Sequence, residues 1–495
     1  MGRDAASGPR EGERGGPVKL DLLVERIGAE PVGPPVSGVA VNGVVFDHRQ
    51  VNAPTPGGGD LFVCVPGERF DGHDFAVEAV EAGAVALVVE HVVEGCRAAP
   101  QLVVGGGRAR AAMALASCAV SGDPAGSLRT VGVTGTNGKT TTSFMLKSIF
   151  EANGWPTVLV GTLGGARTTP EAPVLQATLA RALVSAKTVA VLEVTSHALT
   201  QHRVDGYVHD VAVFTNLSQD HLDYHHTMEA YFGAKAELFT TSHAATGVVN
   251  ADDVYGRKLL EGPSEIPLCP FSIGEVAELA YSARGSRFLL RGHPVQLRLA
   301  GELNVRNAVA AAAAARAAGV DDATIAAGLS SAEQVPGRFE AVANALSLSV
   351  IVDYAHTPAG LSEALRVVRG SAPSGRLVVV FGAGGDRDRQ KRPLMGEAAQ
   401  RLSDVAIVTS DNPRHESPEE IIAEVVGTWS GPARLVVEPD RRAAIASALC
   451  IAGPGDVVLV AGKGHETTQQ VGDELLAFED RAVVAEEAER LAGDR

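Results

Sequence analysis

The chain has 495 residues, room for roughly three domains of about 150 residues each. Its 43 basic and 59 acidic residues give a formal charge of -16, which argues against a general nucleic-acid or membrane-surface partner and means that an anionic ligand must be met by local cationic sites. With 45% hydrophobic and 21% charged residues the composition is that of a soluble globular protein; no run approaches the ~18 apolar residues of a membrane span. The N-terminus MGRDAASGPREGERGG lacks the apolar core of a signal peptide, so the expected compartment is the cytoplasm. Cys64, Cys96, Cys118, Cys269 and Cys450 form no C-x-x-C pair and read as buried thiols in a reducing compartment.

In chain order, residues 1–17 are Gly-, Arg- and Glu-rich and expected to be disordered. From Val18 a small α/β unit is expected, with strands GVVF (Gly43 to Phe46), LFVCV (Leu61 to Val65), AVALVVE and LVVG, and a helix over Phe75 to Ala82. SGDPAGSL, residues 121–128, reads as a linker. A second block to about Gln334 alternates strand and helix: VGVTG, a helix from Lys139, TVLVG, a helix near Leu175 to Ser185, TVAVLEV, DVAVFTN, TGVVNAD and an Ala-rich helix over Asn304 to Ala318. Such alternation predicts a parallel sheet covered on both faces. From about Pro336 the style repeats in SVIVDYAH, RLVVVFGAG, VAIVTSDNP, ARLVVEP and DVVLVAGKGHE, a second doubly wound unit with ligands expected at the carboxyl ends of its strands. The acidic helix after Phe478 is expected to serve packing only.

Val131 to Thr142, VGVTGTNGKTTT, has the strand–loop–helix build of a phosphate cradle: glycines admit backbone N–H groups to phosphate oxygens, a helix N-terminus favours negative charge, Lys139 reaches outer phosphates and a following Thr can ligate Mg²⁺. The spacing is not G-x-x-x-x-G-K-[ST], because Val133 stands five before Gly138. A Gly-rich turn alone can be only a tight turn; Lys-Thr-Thr-Thr after a strand favours nucleotide. Glu193, ending the strand TVAVLEV, stands where a Mg²⁺ ligand belongs, the plain alternative being a solvated strand-end acid. Asp220, His221, Asp223 and His225 crowd another strand end and suggest a metal or substrate role. By composition Lys235, in AYFGAKAELF, reads as a surface lysine with a buried stem.

GTNGKTTT, EVTSHAL, TNLSQDHLDYH, GAKAELF, VPGRFE, DYAHTP, GAGGDRDRQKRP, DNPR and AGKGHE stand in an order and spacing that resemble the Mur ligases over nearly the whole chain from about Val18. The resemblance implies an α/β, three-domain architecture: an N-terminal UDP-substrate domain (18–125), a central P-loop parallel-sheet ATPase domain (126–335) and a C-terminal Rossmann-like amino-acid domain (336–495). It implies ATP- and Mg²⁺-dependent amide formation in peptidoglycan synthesis, joining diaminopimelate to UDP-N-acetylmuramoyl-L-alanyl-D-glutamate through an acyl phosphate, with small-molecule partners and a monomeric state. Gly135, Thr136, Asn137, Gly138, Lys139, Thr140 and Thr141 would hold the triphosphate, Asn304 the adenine side, and Arg338 and Asp353 would reach the nucleotide from the third domain. Thr140 and Glu193 would hold one Mg²⁺, and His221 with a carbamylated Lys235 a second. Phe46, His48, Thr168, Thr169, Thr195, Gln201 and Arg203 would bind the UDP substrate. Arg387, Asp411, Asn412, Pro413, Arg414, Gly462 and Glu466 would form the amino-acid pocket, DNPR resembling the diaminopimelate signature, whose Arg pairs with a distal carboxylate.

The departures from the family lie at the UDP end: His48 where Ser is usual, Arg167 where Asn is usual, Thr195 for Ser, and a longer loop NAPTPGGG. They leave open a paralogous ligase acting on another anionic carboxylate. A nucleotide-binding scaffold without catalysis would predict damage at Lys139, Glu193 or His221, which are intact. Folylpolyglutamate synthetase shares the central domain but not the first domain or DNPR.

Overall fold

In the computed structural model, which describes residues 16–67, 70–163, 167–282, 285–371, 374–427 and 429–493, short runs of Val, Leu, Ile and Ala become the strands of three six-stranded sheets. The expected N-terminal tail lies outside these residues, apart from Gly16 and Pro17.

In space the first sheet runs Val18–Lys19, Ala40–Val45, Gly59–Val63, Ala86–Val89, Gln101–Val103, Glu30–Val32. Helices Leu20–Ile27 and Ala109–Val120 bury Leu20, Leu23, Ile27, Met113 and Ala116 on one face, and Ala76–Ala82 covers Phe62, Leu87 and Val89 on the other. The NAPTPGGG loop closes on itself, with the Thr55 and Gly58 amides donating to each other's carbonyls at 2.9 and 3.0 Å.

The second sheet is fully parallel, in the order Leu268–Phe271, Gly247–Asn250, Val211–Phe214, Arg129–Thr134, Val189–Glu193, Thr157–Val160. Helices Lys139–Ala152 and Glu302–Ala317 pack on one face, Ala172–Val184 and Met228–Ala236 on the other. The register puts Glu193 beside Val133 and Phe214 beside Thr134, so three strand ends meet at the Gly-rich loop. An antiparallel sheet of Val276–Ser282, Gly285–Leu290 and His293–Leu297, absent from the sequence reading, buries Phe288, Leu290, Val295 and Leu297. Its strands are only about half apolar, a weak signal beside the parallel runs.

The third sheet runs Glu340–Ala341, Ser349–Asp353, Val457–Ala461, Leu377–Phe381, Val405–Val408, Arg434–Val437, parallel except for its first edge strand. The expected linker at 121–128 is instead packed structure: Pro124–Ser127 forms a 3-10 turn, and Ala125 and Leu128 join the core of Leu175 and Leu179. Arg26 bonds Asp123 at 2.6 Å across this join. The cysteine expectation holds for Cys64, Cys96 and Cys118, which are buried; Cys269 and Cys450 are exposed, on an outer strand and a helix face. Among the described residues no helix is long and apolar enough to cross a membrane.

His209 lies fully buried against Gly132 of the phosphate-loop strand, and neither ring nitrogen has a hydrogen-bond partner among the described residues. Burial pushes its pKa down to about 3. The unfolded chain takes up this proton near pH 6.5 while the folded chain refuses it, so stability is full above pH 6.5 and lost as pH falls toward 3. His209→Phe should therefore flatten the decline of unfolding free energy between pH 6 and 4 by up to about 1.4 kcal/mol per pH unit, measured by denaturant titration. An unchanged slope would contradict this origin.

Candidate active site

The loop after Arg129–Thr134 turns so tightly that only bare backbone fits. Gly135 (φ 143°) would place a Cβ 1.9 Å from Thr215 Oγ1, and Gly138 (φ 86°) one 2.3 Å from Asn307 Oδ1. The neighbouring strand end holds the loop. Thr136 N donates to Asn216 O (2.9 Å), Asn137 N to Asn216 Oδ1 (3.0 Å), and Thr215 Oγ1 and Asn216 Nδ2 donate to Asn137 O (2.7 and 3.0 Å). Thr141 is buried in the first turn of Lys139–Ala152.

Two lysines converge on one carbonyl: Lys139 Nζ and Lys235 Nζ donate to Gly135 O at 2.7 and 3.0 Å. The surface reading of Lys235 is overturned, since it is 1% exposed, packed over the Tyr231 ring. Composition could not reveal that its helix lies against the loop. Burial, then the adjacent Lys139, holds the Lys235 amine well below its usual pKa, and burial, with Arg338 adding repulsion, lowers Lys139.

Glu193, 3% exposed, is not a solvated strand-end acid: its Oε2 accepts Thr140 Oγ1 (2.8 Å) and Thr162 Oγ1 (3.0 Å), and its Oε1 accepts Thr162 N (2.9 Å). The hydroxyl and carboxylate of Thr140 and Glu193 form an oxygen pair suited to Mg²⁺. From the third unit Arg338 reaches Thr140 Oγ1 (3.4 Å) over the Tyr354 ring, and its buried Nε has no hydrogen-bond partner among the described residues. Asp353 turns inward to accept Phe339 N and Ala355 N (both 2.9 Å), holding the segment that carries Arg338.

The Asp220–His225 group does not converge. Asp223 is exposed, and His225 bonds Ser196 Oγ at 2.8 Å. Among the described residues no set of three or more His, Cys, Asp or Glu could hold a metal. His221 sits at φ 55°, its N–H donating to Asp220 Oδ1 (3.0 Å), and burial pushes its pKa down to about 3.

Beyond the loop a cavity of about 530 Å³ is lined by Asn137, Asn216, Asp252, Glu302, Arg306 and Asn307, among others. Asn307, not singled out in sequence, faces it; Asn304 is absent from its lining and spends its amide on Ala300 O (2.7 Å). Both stand in GELNVRNA, and only helix phase tells them apart.

A second cavity, of about 710 Å³, lies between Thr162 and Thr168 of the second unit and Asn412, Arg414 and Glu466 of the third. Asn412 Nδ2 donates to Glu466 Oε2 (2.8 Å), and Lys463, fully buried, reaches Glu466 Oε2 (2.8 Å), Asn412 Oδ1 (3.3 Å) and Thr468 O (2.7 Å). Within AGKGHE the sequence singles out Gly462 and Glu466, whereas Lys463 gains its role only from partners that the fold brings to it. Gly462 backs onto Asp411, whose buried Oδ2 has no hydrogen-bond partner among the described residues. After Pro413, Arg414 stands at φ 52° with Nη1 on Gly385 O (2.8 Å), and burial lowers its pKa. Arg387 is exposed nearby, close enough to repel Arg414.

Thr169 Oγ1 donates to Glu193 O (2.7 Å) and accepts Thr195 N (3.1 Å); Arg203 reaches Thr169 O (2.8 Å) and Gln201 Oε1 (2.6 Å). Thr168 bonds Thr162 at 3.1 Å. Arg167, Arg203 and Arg110 all pair with buried Glu171, which accounts for an arginine at position 167. His48 stacks on Phe75 (4.7 Å, 6°) in the first unit, and neither it nor Phe46 has a described contact with this group.

Two units meeting at a buried phosphate loop, with one cavity lined by that loop and a second between the two units, are the build of a ligase that joins two substrates at a nucleotide. Family profiles agree: residues 133–315 match the Mur ligase middle domain, 337–464 the Mur ligase glutamate ligase domain, and 47–114 the Mur ligase family catalytic domain. The chain is 44% identical over 464 residues (88% of this chain, 93% of the relative) to UDP-N-acetylmuramoyl-L-alanyl-D-glutamate--2,6-diaminopimelate ligase of Geobacillus thermodenitrificans. To the ligase of that name in Synechococcus elongatus it is 43% identical over 468 residues (90% and 93%). A solved structure bearing that ligase name superposes with TM-score 0.64 at 31% identity, covering 96% of this chain and 99% of the other. The chain belongs to the Mur ligase family.

The C-terminal helix does more than pack. Its Asp480 takes Arg441 Nε and Nη2 (2.8 and 2.7 Å) in a fully buried pair, and Arg441 also reaches Ser410 O (3.3 Å) and Ala461 O (3.0 Å), beside Asp411 and Gly462. Asp480→Asn would strand a buried guanidinium and should cost about 3–5 kcal/mol by chemical denaturation. A loss under about 1 kcal/mol would contradict this bracing role.

Proposed function

We propose that the protein is an ATP-dependent ligase of the cytoplasm, acting as a monomer, that joins the amine of diaminopimelate to the terminal carboxylate of UDP-N-acetylmuramoyl-L-alanyl-D-glutamate in peptidoglycan synthesis. The observation that carries this reading is a pair of cavities, one lined by Asn137 of the phosphate loop and by Asn307, the other by Asn412, Arg414, Glu466 and Thr162, whose hydroxyl bonds the Glu193 carboxylate that also holds Thr140. The names borne by relatives at 43% and 44% identity supply the two substrates.

In this reading the adenosine end of ATP fills the cavity at Asn307, the triphosphate lies along Gly135 to Thr141, and Lys139 leaves Gly135 O to neutralise phosphate oxygens. A substrate carboxylate oxygen attacks the γ-phosphorus, the bond to ADP breaks, and an acyl phosphate forms. The amine then attacks the acyl carbon and phosphate leaves, giving the amide. Donors preset where charge grows lower both barriers. Arg338, with its unpartnered Nε, is such a donor.

Thr140 and Glu193 would hold one Mg²⁺, which supplies charge neutralisation at the phosphates. His221, kept neutral by burial, and Lys235 suit a second only if Lys235 is carbamylated, since an ammonium repels a cation. Its lowered pKa supports this: a neutral amine can add CO₂ with loss of one proton, giving an anionic carbamate.

Thr168, Thr169, Gln201 and Arg203 would bind the muramoyl dipeptide end, and His48 and Phe46 the uridine end. Arg414 would pair with the distal carboxylate of diaminopimelate, helped by Arg387, and Asp411 and Glu466 would meet its ammonium. Arg414→Ala should raise the KM for diaminopimelate between about tenfold and a hundredfold, while the KM for ATP stays within about threefold, measured by phosphate release. Lysine used as readily as diaminopimelate by the unaltered enzyme would overturn the assignment.

A further inference from the structure

Lys463 is a lysine with no exposed surface, and it takes no part in lining the cavity beside it. An ammonium has three hydrogens to give, and each here has a protein acceptor: Glu466 Oε2 (2.8 Å), Thr468 O (2.7 Å) and Asn412 Oδ1 (3.3 Å). Such a cation is spent before any ligand arrives. A buried charge is costly unless it is paired, and the ion-pair partner of Lys463 among the described residues is Glu466.

Glu466, with 29% of its side chain exposed, lines that cavity alongside Asn412 and Arg414. Its side-chain hydrogen bonds, among the described residues, both fall on Oε2, from Lys463 and from Asn412 Nδ2 (2.8 Å). The Asn412 amide has one consistent orientation, because Lys463 and the Gln470 N–H (2.9 Å) can only donate and so mark Oδ1. Its Nδ2 is then shared between Glu466 and Asp411 Oδ1 (3.2 Å), two carboxylates on one amide. Lys463 also anchors, at Thr468 O, the hairpin of Thr468–Val471 and Glu474–Ala477. That hairpin holds the arginine, with Arg414 N donating to Gln470 O (3.1 Å) and Gly472 N to Arg414 O (2.7 Å). One buried ammonium thus ties the carboxylate of the pocket to the hairpin that fixes its arginine.

We propose that Lys463 is a positioning residue for amino-acid choice: it turns Glu466 Oε2 inward and leaves Oε1 to the cavity, as acceptor for the distal ammonium of the incoming amino acid. This rests on the reading of that cavity as the diaminopimelate pocket. Arg414 answers the distal carboxylate and Glu466 the amine beside it, and Lys463 sets the spacing between the two. Without its charge Glu466 keeps only the shared Asn412 donor, is repelled by Asp411 across it, and is free to rotate away. The consequence is selective. An amino acid with the distal carboxylate but no distal amine makes no use of Glu466, so its turnover does not depend on Lys463.

The test compares diaminopimelate with 2-aminopimelate, the same chain without the distal amine, by kcat/KM from phosphate release. The unaltered enzyme should prefer diaminopimelate by about tenfold or more. Lys463→Met should cut that preference at least about fivefold, through the KM for diaminopimelate, with 2-aminopimelate and the KM for ATP within about threefold. Glu466→Gln should show the same loss, and the Glu466→Gln/Lys463→Met double variant should lose no more preference than Glu466→Gln alone. A preference kept in folded Lys463→Met, an equal fall for both amino acids, or losses that multiply in the double variant would overturn the proposal. If Lys463→Met does not fold, Lys463→Gln, which keeps a donor for Thr468 O, must show the loss, and its absence there overturns the proposal equally. An unaltered enzyme that is blind to the distal amine would overturn the substrate reading and the proposal with it. A preference present there and kept in Lys463→Met overturns the proposal alone, so the two failures are distinguishable.

Discussion

The side-by-side register of three parallel strands is the constraint on which the site depends. Val133 lies opposite Glu193 and Thr134 opposite Phe214, so the phosphate loop, the buried carboxylate and the Thr215–Asn216 braces emerge at one level of one sheet edge. A slip of one residue would turn Glu193 to the opposite face and take it from Thr140. Parallel strands covered on both faces tolerate no such slip, because Val131, Val133, Val191 and Val213 fill one core while Ala190, Leu192, Ala212 and Phe214 fill another.

Onto that edge the chain loads more positive charge than it can comfortably keep. Lys139 and Lys235 share one carbonyl oxygen, and Arg338 leans in from the third unit over Tyr354. In a protein of net charge -16 this local excess suits a triphosphate, and burial first, then repulsion from a neighbouring cation, lowers both lysine amines. Anionic groups arriving there meet donors that burial has already desolvated. The third unit closes the arrangement from the far side, through Arg338 on Thr140 and Lys391 on Asp220, so the centre is built at a junction and not within one domain.

Strand and helix alternation in the two larger units was legible because apolar runs such as VAVLEV and LVVVF are long, β-branched and bounded by Gly or polar residues. The phosphate loop was legible for the same reason that it works: its glycines and Lys-Thr-Thr-Thr are local. What escaped was tertiary. Lys235 looks like a surface lysine until its helix is laid against Gly135, Asn307 cannot be preferred to Asn304 without the helix phase, and Lys463 gains meaning only from a partner 51 positions away, Asn412. The linker at 121–128 misled because Pro and Gly also mark tight turns that pack.

The central claim is that a carboxylate is activated as an acyl phosphate on the loop of Gly135 to Thr141. The direct measurement uses UDP-N-acetylmuramoyl-L-alanyl-D-glutamate carrying ¹⁸O in its terminal carboxylate, turned over with ATP and diaminopimelate, with the released phosphate examined by mass spectrometry. Transfer of one ¹⁸O into each phosphate is the predicted result. Amide formation with unlabelled phosphate would contradict the mechanism.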